Sequence, residues 1–494
     1  MSRKKTSKQQ SETPRLDAFQ AAWEKYRPLV PEAELEALEA SFSQPLLQAF
    51  RLNPLKTNAA ALEKMAERYG WDLEPVSFCP EARKVRSAAV LPSLTAEHRN
   101  GFYYIQDSAS MLPVMLFDAD RLEAEPLILD LAASPGGKTT HLAARSGDRG
   151  LVVANDSSAS RIPALKTVLK NWGCVRHAVT QFNGESYGDF FPNTFDLILL
   201  DAPCSMQSLV SLDSHPMRPI TEREEKALAQ RQTALLCSAL KALKPGGQLV
   251  YSTCTLSPDE DEAVVDAVLG MFPGKVSVLD AAERLPAPAP GLTEAYGQRF
   301  DPSLKGAVRL WPHRYQTAGF FACLLEKTDV LSSAPEAEAP YRAWEKSSFT
   351  AVKPSEYEEL KAWLSDQFGI GLDALCAEMD ADIFLRGEEF WMLPARWVSE
   401  FSTLPAKSIG MRAALRTSGG LVPDRDWVCR FFDRMGGFRY VPDPVQRREW
   451  LNGGDIRPEG LSLSKGTIVM VLDEAQVFLG CGKVSGERIR NLNK

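Results

Sequence analysis

From Pro126 onward the chain alternates short apolar runs with amphipathic helical stretches, and this alternation restricts the fold more than any other feature. LILDLAA, LVVANDSS, VRHAVTQFN, FDLILLDAP and GQLVYSTC read as strands, while KTTHLAARSG, ASRIPALKTVLKNWG and EREEKALAQRQTALLCSALKAL read as helices. Strands that take turns with helices need crossover connections, so the predicted core is α/β, a parallel, doubly wound sheet. FFACLLEK, near residue 320, is expected as the last strand, with RLPAPAP before it as a loop. Ligands of such sheets lie outside the carboxyl ends of the strands. Residues that close an apolar run are therefore the first candidates for chemistry.

Residues 195–254 bring two cysteines to such ends, Cys204 after FDLILLDAP and Cys254 after GGQLVYST, which places two thiols at the mouth of one cleft. The other cysteines read as small buried hydrophobes. Nine cysteines in all, odd in number and never spaced as CxxC, argue against a disulfide framework and a tetrahedral zinc site. A thiolate is the working nucleophile and needs donors or positive charge beside it, some of which Lys138, at a helix start, can supply. His141 lies on a helix and His215 in a Pro-rich loop, so neither is an obvious partner base for a Cys/His protease.

LDLAASPGGKTT ends like a phosphate-binding loop, but the first glycine such a loop needs, five residues before Gly137, is Ala132, and GxGxxG is absent. What remains is a strand ending in Asp130, a Pro-Gly-Gly turn that lets backbone approach a ligand, and about 26 residues later a strand ending near Asp156. An acid there is placed to hydrogen-bond ribose hydroxyls. Adenosine without phosphates fits this better than a nucleoside triphosphate.

A chain of 494 residues exceeds one ordinary core. Residues 1–15 read as a disordered basic tail, 16–125 as a helical lead-in followed by a small α/β unit, 126–327 as the core, 328–341 as a linker and 342–494 as a C-terminal region. In that last region EEFWMLP, WVCRFF, FRYVPD and TIVMVLD read as short strands of a small barrel. Arg430, Arg434 and Arg439 alternate there with Phe431, Phe432, Phe438 and Tyr440, a pattern that suits stacking on unpaired bases and equally a core stripe with surface arginines. The net charge of −7 weighs mildly against an all-phosphate partner, although local basic patches count for more than the total. No signal peptide or membrane-spanning run is evident, and a cytoplasmic location is expected.

DLAASPGGKTT, NDSSASR, FDLILLDAPCS and YSTCTLSPDEDE, in this order, resemble the Nop/Sun family of RNA cytosine methyltransferases. RLNPLKTN and GFYYIQDSASMLP are similar to that family's N-terminal module, and FLGCGKVSGERIRNLNK to the ending of its bacterial, RsmF-like 16S ribosomal RNA branch. The resemblance implies a Rossmann-like S-adenosylmethionine-dependent core between an N-terminal α/β RNA-binding module and a C-terminal PUA-like small β-barrel, acting as a monomer on RNA, without a metal or a membrane. Ala132, Ala133, Ser134, Pro135, Gly136, Gly137, Lys138, Asp156, Asn183 and Asp201 would bind the methyl donor or shape its site. Cys254 would attack carbon 6 of a flipped-out cytosine, Asp201 would hydrogen-bond the ring, and Cys204 would help remove the carbon 5 proton and release product. The alternatives are a methyltransferase of tRNA or other RNA, and a non-catalytic RNA-binding scaffold. The chain departs from the family at Asn183, where Asp is usual, and after DAPCS, where Met206, Gln207 and Ser208 replace Gly-x-Gly and Ser211 and Leu212 replace a basic pair.

Overall fold

The structure, a computed structural model, describes residues 20–42, 45–208, 219–332, 334–460 and 462–493. The basic tail and the departure at Ser211 and Leu212 lie outside the described residues. Among those described, no helix is long and apolar enough to cross a membrane.

At the centre, parallel pairings join the strands His177–Thr180, Leu151–Asn155, Leu127–Asp130, Phe195–Asp201 and Leu243–Thr253 in that spatial order. Such strands are covered on both faces, which is why Leu127–Asp130, Leu151–Asn155 and Phe195–Asp201 read as mainly apolar runs; Leu129, Val153, Leu199 and Val250 are all buried. The helices Gly137–Arg145, Ile162–Trp172 and Glu222–Ala242 make the crossovers. This is a Rossmann-like methyltransferase fold, but its sheet is mixed rather than wholly parallel. Phe320–Lys327 runs antiparallel beside Leu243–Thr253. Val276–Leu279, a strand not anticipated from the sequence, lies outside it, antiparallel to it in turn. A parallel return needs a long crossover. The segment between these two strands holds 3₁₀ turns and the four-residue helix Pro312–Tyr315 instead, so the chain re-enters from the opposite end.

The N-terminal unit is an antiparallel sheet in the order Trp71–Val76, Cys79–Ala88, Ala49–Leu52, Tyr103–Ile105, with the helix Ala59–Tyr69 capped by Asn58. The helical reading of the lead-in ends at Ala49, which opens a strand. Polar residues of RLNPLKTN point inward and clasp the core. Asn53 Nδ2 donates to the carbonyls of Gly101 and Trp172 at 2.7 and 2.8 Å, and Lys56 Nζ to those of Asn100 and Asn171 at 2.8 and 2.7 Å. Gly173 ends the helix Ile162–Trp172 with φ +86°, and a Cβ there would meet Lys56 Cε at 2.8 Å and Arg430 Cδ at 2.9 Å. All three regions of the chain meet at this turn.

Beyond the linker, two sheets share one apolar core that includes Phe390, Met411, Met470 and Phe478, giving a small barrel-like region. EEFWMLP, FRYVPD and TIVMVLD supply strands, as expected. WVCRFF does not: Arg425–Phe431 is a helix, with Asp424 Oδ1 accepting from Asp426 N at 2.9 Å. Trp427, Val428 and Phe431 are buried at helical spacing, and the N-cap decides between the two periods. Of the interleaved arginines Arg430 is turned into the structure, whereas Arg434 and Arg439 are exposed. Arg430 donates to the carbonyls of Gly173 and Leu55 at 3.1 and 2.8 Å, Arg434 pairs with Glu378, and Arg439 lies over Phe432. Of the aromatic residues in the pattern, Phe431 is core, Phe432 and Tyr440 are half-buried and Phe438 is exposed, so the core stripe holds only for its first part. Ser408–Ile409 pairs antiparallel with His177–Thr180, so the C-terminal region covers the open edge of the central sheet.

Candidate active site

Phe195–Asp201 and Leu243–Thr253 lie side by side with Asp201 opposite Ser252, and this register carries the loops beyond them into contact. Cys204 Sγ stands 3.3 Å from Cys254 Sγ, both side chains half-buried. The Cys204 thiol is pushed well above the ordinary cysteine range, first by its hydrogen bond to Cys254 and then by burial, so it holds its proton at neutral pH. At the strand ends, Asp201 accepts from Lys138 Nζ at 2.7 Å and from Ser252 Oγ at 2.9 Å. Burial pulls Lys138 down, but the charge and hydrogen bond of Asp201 outweigh it and hold the ammonium above its usual range, with Cys254 also in its field.

The loops carrying the thiols are fixed from beneath by the acidic run SPDEDE, whose last three residues, Glu260, Asp261 and Glu262, face inward. Glu260 accepts from Ser205 N at 3.0 Å and from Gln232 Nε2 at 2.9 Å, while Gln232 also reaches the Pro203 carbonyl. Asp261 accepts from Thr253 Oγ1 at 2.5 Å. Arg309 closes the cage: it pairs with Glu262 and with Asp261, the latter at 3.2 Å, and donates to the Leu256 carbonyl at 2.9 Å. Glu260, Asp261, Glu262, Gln232 and Arg309 are fully buried. Sequence reasoning passed over Gln232 and Arg309. The available signals were an acidic run directly after a buried strand, which demands a cation, and a lone arginine inside the apolar stretch GAVRLW.

Met206, Gln207 and Ser208 follow Cys204 into the interior. Met206 has φ +59°, in the left-handed region that favours glycine, and the Gln207 carbonyl accepts from Leu256 N at 3.0 Å. The two cysteine loops are thus tied on both sides of the thiols.

The residues expected around a methyl donor gather at neighbouring strand ends. Asp130 accepts from Thr139 Oγ1 at 2.6 Å through Oδ2, while its buried Oδ1 has no partner among the described residues; burial raises its carboxyl to about 7. The turn from Ala132 to Lys138 passes a cis Ser134–Pro135 bond and Gly136, whose φ of +115° excludes most side chains and whose Cβ would meet Val168 at 3.0 Å. Asp156 receives Ser134 N at 3.2 Å and pairs with Arg161 at 3.5 Å through Oδ2, and receives Ser158 N at 2.9 Å through Oδ1, which shapes the turn; Oδ1 keeps a further lone pair. Asn183 is exposed, with Oδ1 accepting from Glu185 N at 3.2 Å. An orphaned buried acceptor, a close backbone turn and an exposed amide at adjoining strand ends fit an adenosyl group.

Arg51, in the N-terminal sheet, reaches this turn from behind. Its Nη2 donates to the Gly137 carbonyl at 3.1 Å and to Thr140 Oγ1 at 3.0 Å, and its guanidinium lies 4.6 Å from the Trp172 ring. Cys79, Glu81 and His141 also converge nearby, but Arg145 pairs with Glu81 and Arg51 stands beside the group, so positive charge already occupies its surroundings.

Residues 119–326 match the family model described as 16S rRNA methyltransferase RsmB/F, and residues 20–108 that of the N-terminal domain of 16S rRNA methyltransferase RsmF. The chain is 33% identical over 456 residues to a ribosomal RNA small subunit methyltransferase F of Klebsiella pneumoniae, covering 92% of this chain and 90% of that one. It is 32% identical over 462 residues to the protein of the same name in Aeromonas hydrophila, covering 92% of each. Among solved structures it is similar to a methyltransferase homolog protein from Pyrococcus horikoshii, with a TM-score of 0.54 and 29% identity over 63% of this chain and 98% of that one.

Proposed function

The chain belongs to the 16S rRNA methyltransferase RsmB/F family, S-adenosylmethionine-dependent RNA methyltransferases, and from this premise we propose that it methylates carbon 5 of a cytosine in 16S ribosomal RNA through a covalent cysteine adduct. The observation that carries the reading is the pair of thiols 3.3 Å apart beside the Lys138–Asp201 ion pair. Two thiols suit a reaction in which one must bond to the base and another must help the adduct collapse.

In this reading the cytosine leaves its stack and enters between the strand ends. Cys254 Sγ adds to carbon 6, forming a C–S bond and making carbon 5 electron-rich. Asp201, oriented by Lys138 and Ser252, hydrogen-bonds the ring and favours the attack. Bound S-adenosylmethionine supplies the methyl group. The turn from Ala132 to Lys138, Asp156, Asn183 and Asp201 hold and orient it. Cys204, once it has passed its own proton to solvent, accepts the carbon 5 proton as a thiolate; the C–H electrons restore the ring double bond and Cys254 leaves as thiolate. The geometry supports this division of labour. The largest influence keeping Cys204 protonated is its hydrogen bond to Cys254, and that bond ends once the Cys254 sulfur is bonded to carbon 6.

The N-terminal unit (residues 16–125) and the C-terminal region (342–494) act as RNA-reading modules on either side of the core, and the protein works as a cytoplasmic monomer. Bisulfite sequencing of ribosomal RNA from cells with and without the gene tests the reaction, and unchanged methylation at every site would sink it. Cys254→Ala is expected to abolish turnover, whereas Cys204→Ala is expected to trap a covalent protein–RNA adduct. Normal turnover by Cys204→Ala, with nothing trapped, would refute the assigned roles.

A further inference from the structure

A cavity of about 650 Å³ lies between the core and the C-terminal region. Its walls are one side of the helix Ile162–Trp172 and the chain around Ser408–Ile409, with Trp391 reaching in from the strand Glu389–Pro394. Gln181 lines it two residues before Asn183, so it begins beside the donor end of the active site. From there it follows the helix away from the carboxyl ends of the strands. Its size falls within the roughly 300–1,000 Å³ typical of ligand pockets.

Four cations face this cavity, and they differ. Lys170 is matched by Asp424 and Asp426, and Arg412 by Glu389 and Asp424. Lys166 and Lys407 are exposed and have no ion pair among the described residues. In a chain of net charge −7, uncompensated ammonium groups facing one cavity from its two walls are where a phosphate gains most. The floor is made for hydrogen bonding. His177 is buried and its Nδ1 meets the Cys174 carbonyl at 3.0 Å, which assigns the proton to Nδ1 and leaves Nε2 as an acceptor without a partner among the described residues. Burial lowers this imidazole to about 4, so it stays neutral at physiological pH. Trp391 adds an apolar wall, and its indole N–H is already engaged by Glu389.

We propose that this cleft holds one unpaired nucleotide of the substrate RNA, separate from the target cytosine, with its phosphate against Lys166 and Lys407 and its base against Trp391, donating an edge N–H to His177 Nε2. The assignment deepens the functional reading above and rests on it for the identity of the polymer. It makes the seam between core and C-terminal region a substrate-reading surface that sets how far the target base lies from an anchoring nucleotide.

The test uses the full chain carrying Lys166→Gln and Lys407→Gln together, with a fluorescein-labelled, unstructured RNA oligonucleotide of mixed sequence as probe. Each phosphate contact on a single strand contributes about 0.7 to the slope of log affinity against log salt, so the double variant, which loses one phosphate site, is expected to lose about 0.7 from that slope. KM for RNA should rise several-fold while kcat and S-adenosylmethionine affinity stay unchanged. Repeating the binding measurement in the Cys254→Ala background reads RNA affinity without turnover, so failure of the cleft and failure of the proposed chemistry give different results. An unaltered slope and KM in the double variant overturn the proposal. Loss of nucleoside monophosphate binding with RNA binding intact also overturns it, and would identify a site for free mononucleotides.

Discussion

Replacing Arg309 with methionine tests whether the cage beneath Cys254 is held by a buried charge. The guanidinium and the carboxylates of Asp261 and Glu262 are all 0% exposed, so water cannot compensate either acid once the cation is gone. Breaking a buried ion pair from one side costs about 3–5 kcal/mol, and losing the bond to the Leu256 carbonyl adds about 1 kcal/mol. At about 2–4 °C per kcal/mol for a domain of roughly this size, Tm should fall by at least about 6 °C, measured by scanning calorimetry on the full chain. Activity should fall further than stability accounts for, because Thr253 and Leu256, the residues this cage grips, flank Cys254. The informative comparison is Arg309→Met combined with Asp261→Asn and Glu262→Gln. Removing all the charges leaves none unpaired, and the asparagine oxygen still accepts from Thr253, so more than half of the lost stability should return. A loss below about 1 kcal/mol for the single variant, or a triple variant no better than the single one, would refute this reasoning.

Arg51→Met should raise KM for S-adenosylmethionine several-fold without changing RNA affinity, because the thioether keeps the contact with Trp172 but cannot bond the Gly137 carbonyl; equal losses in both would show a general structural role. Asp130→Asn should flatten the dependence of stability on pH. The native carboxyl sits at about 7, above its unfolded value, so the folded state binds the proton more tightly. Its contribution is fully present below about pH 4, is lost as pH rises to about 7, and is constant above that. Urea denaturation at pH 5 and pH 8 should therefore show the asparagine variant gaining on the natural protein at the higher pH, and an unchanged difference would contradict it.

The central sheet was legible because buried parallel strands have no solvent-facing side, so such strands tend to read as mainly apolar runs whatever their neighbours are. The strand ends followed, and with them Cys204, Cys254, Asp130, Asp156 and Asp201. Val276–Leu279 and Ser408–Ile409 escaped because they are short edge strands whose partners, Phe320–Lys327 and His177–Thr180, lie far along the chain. WVCRFF was misread because its apolar residues satisfy two periods at once, and Asp424, the cap that settles the matter, lies just outside the run.

By itself the sequence determined which residue types stand at the ends of the core strands, since local periodicity and turn chemistry are written in consecutive positions. The tertiary structure decided what those residues meet. The 3.3 Å between the thiols comes from the register of two strands. The inward turn of SPDEDE depends on Arg309, 47 residues beyond Glu262. The clasp of Asn53, Lys56 and Arg430 around Gly173 joins segments as many as 375 residues apart. Buried charges and backbone donors must be satisfied wherever the fold brings a partner, and no local pattern records which distant residue that will be.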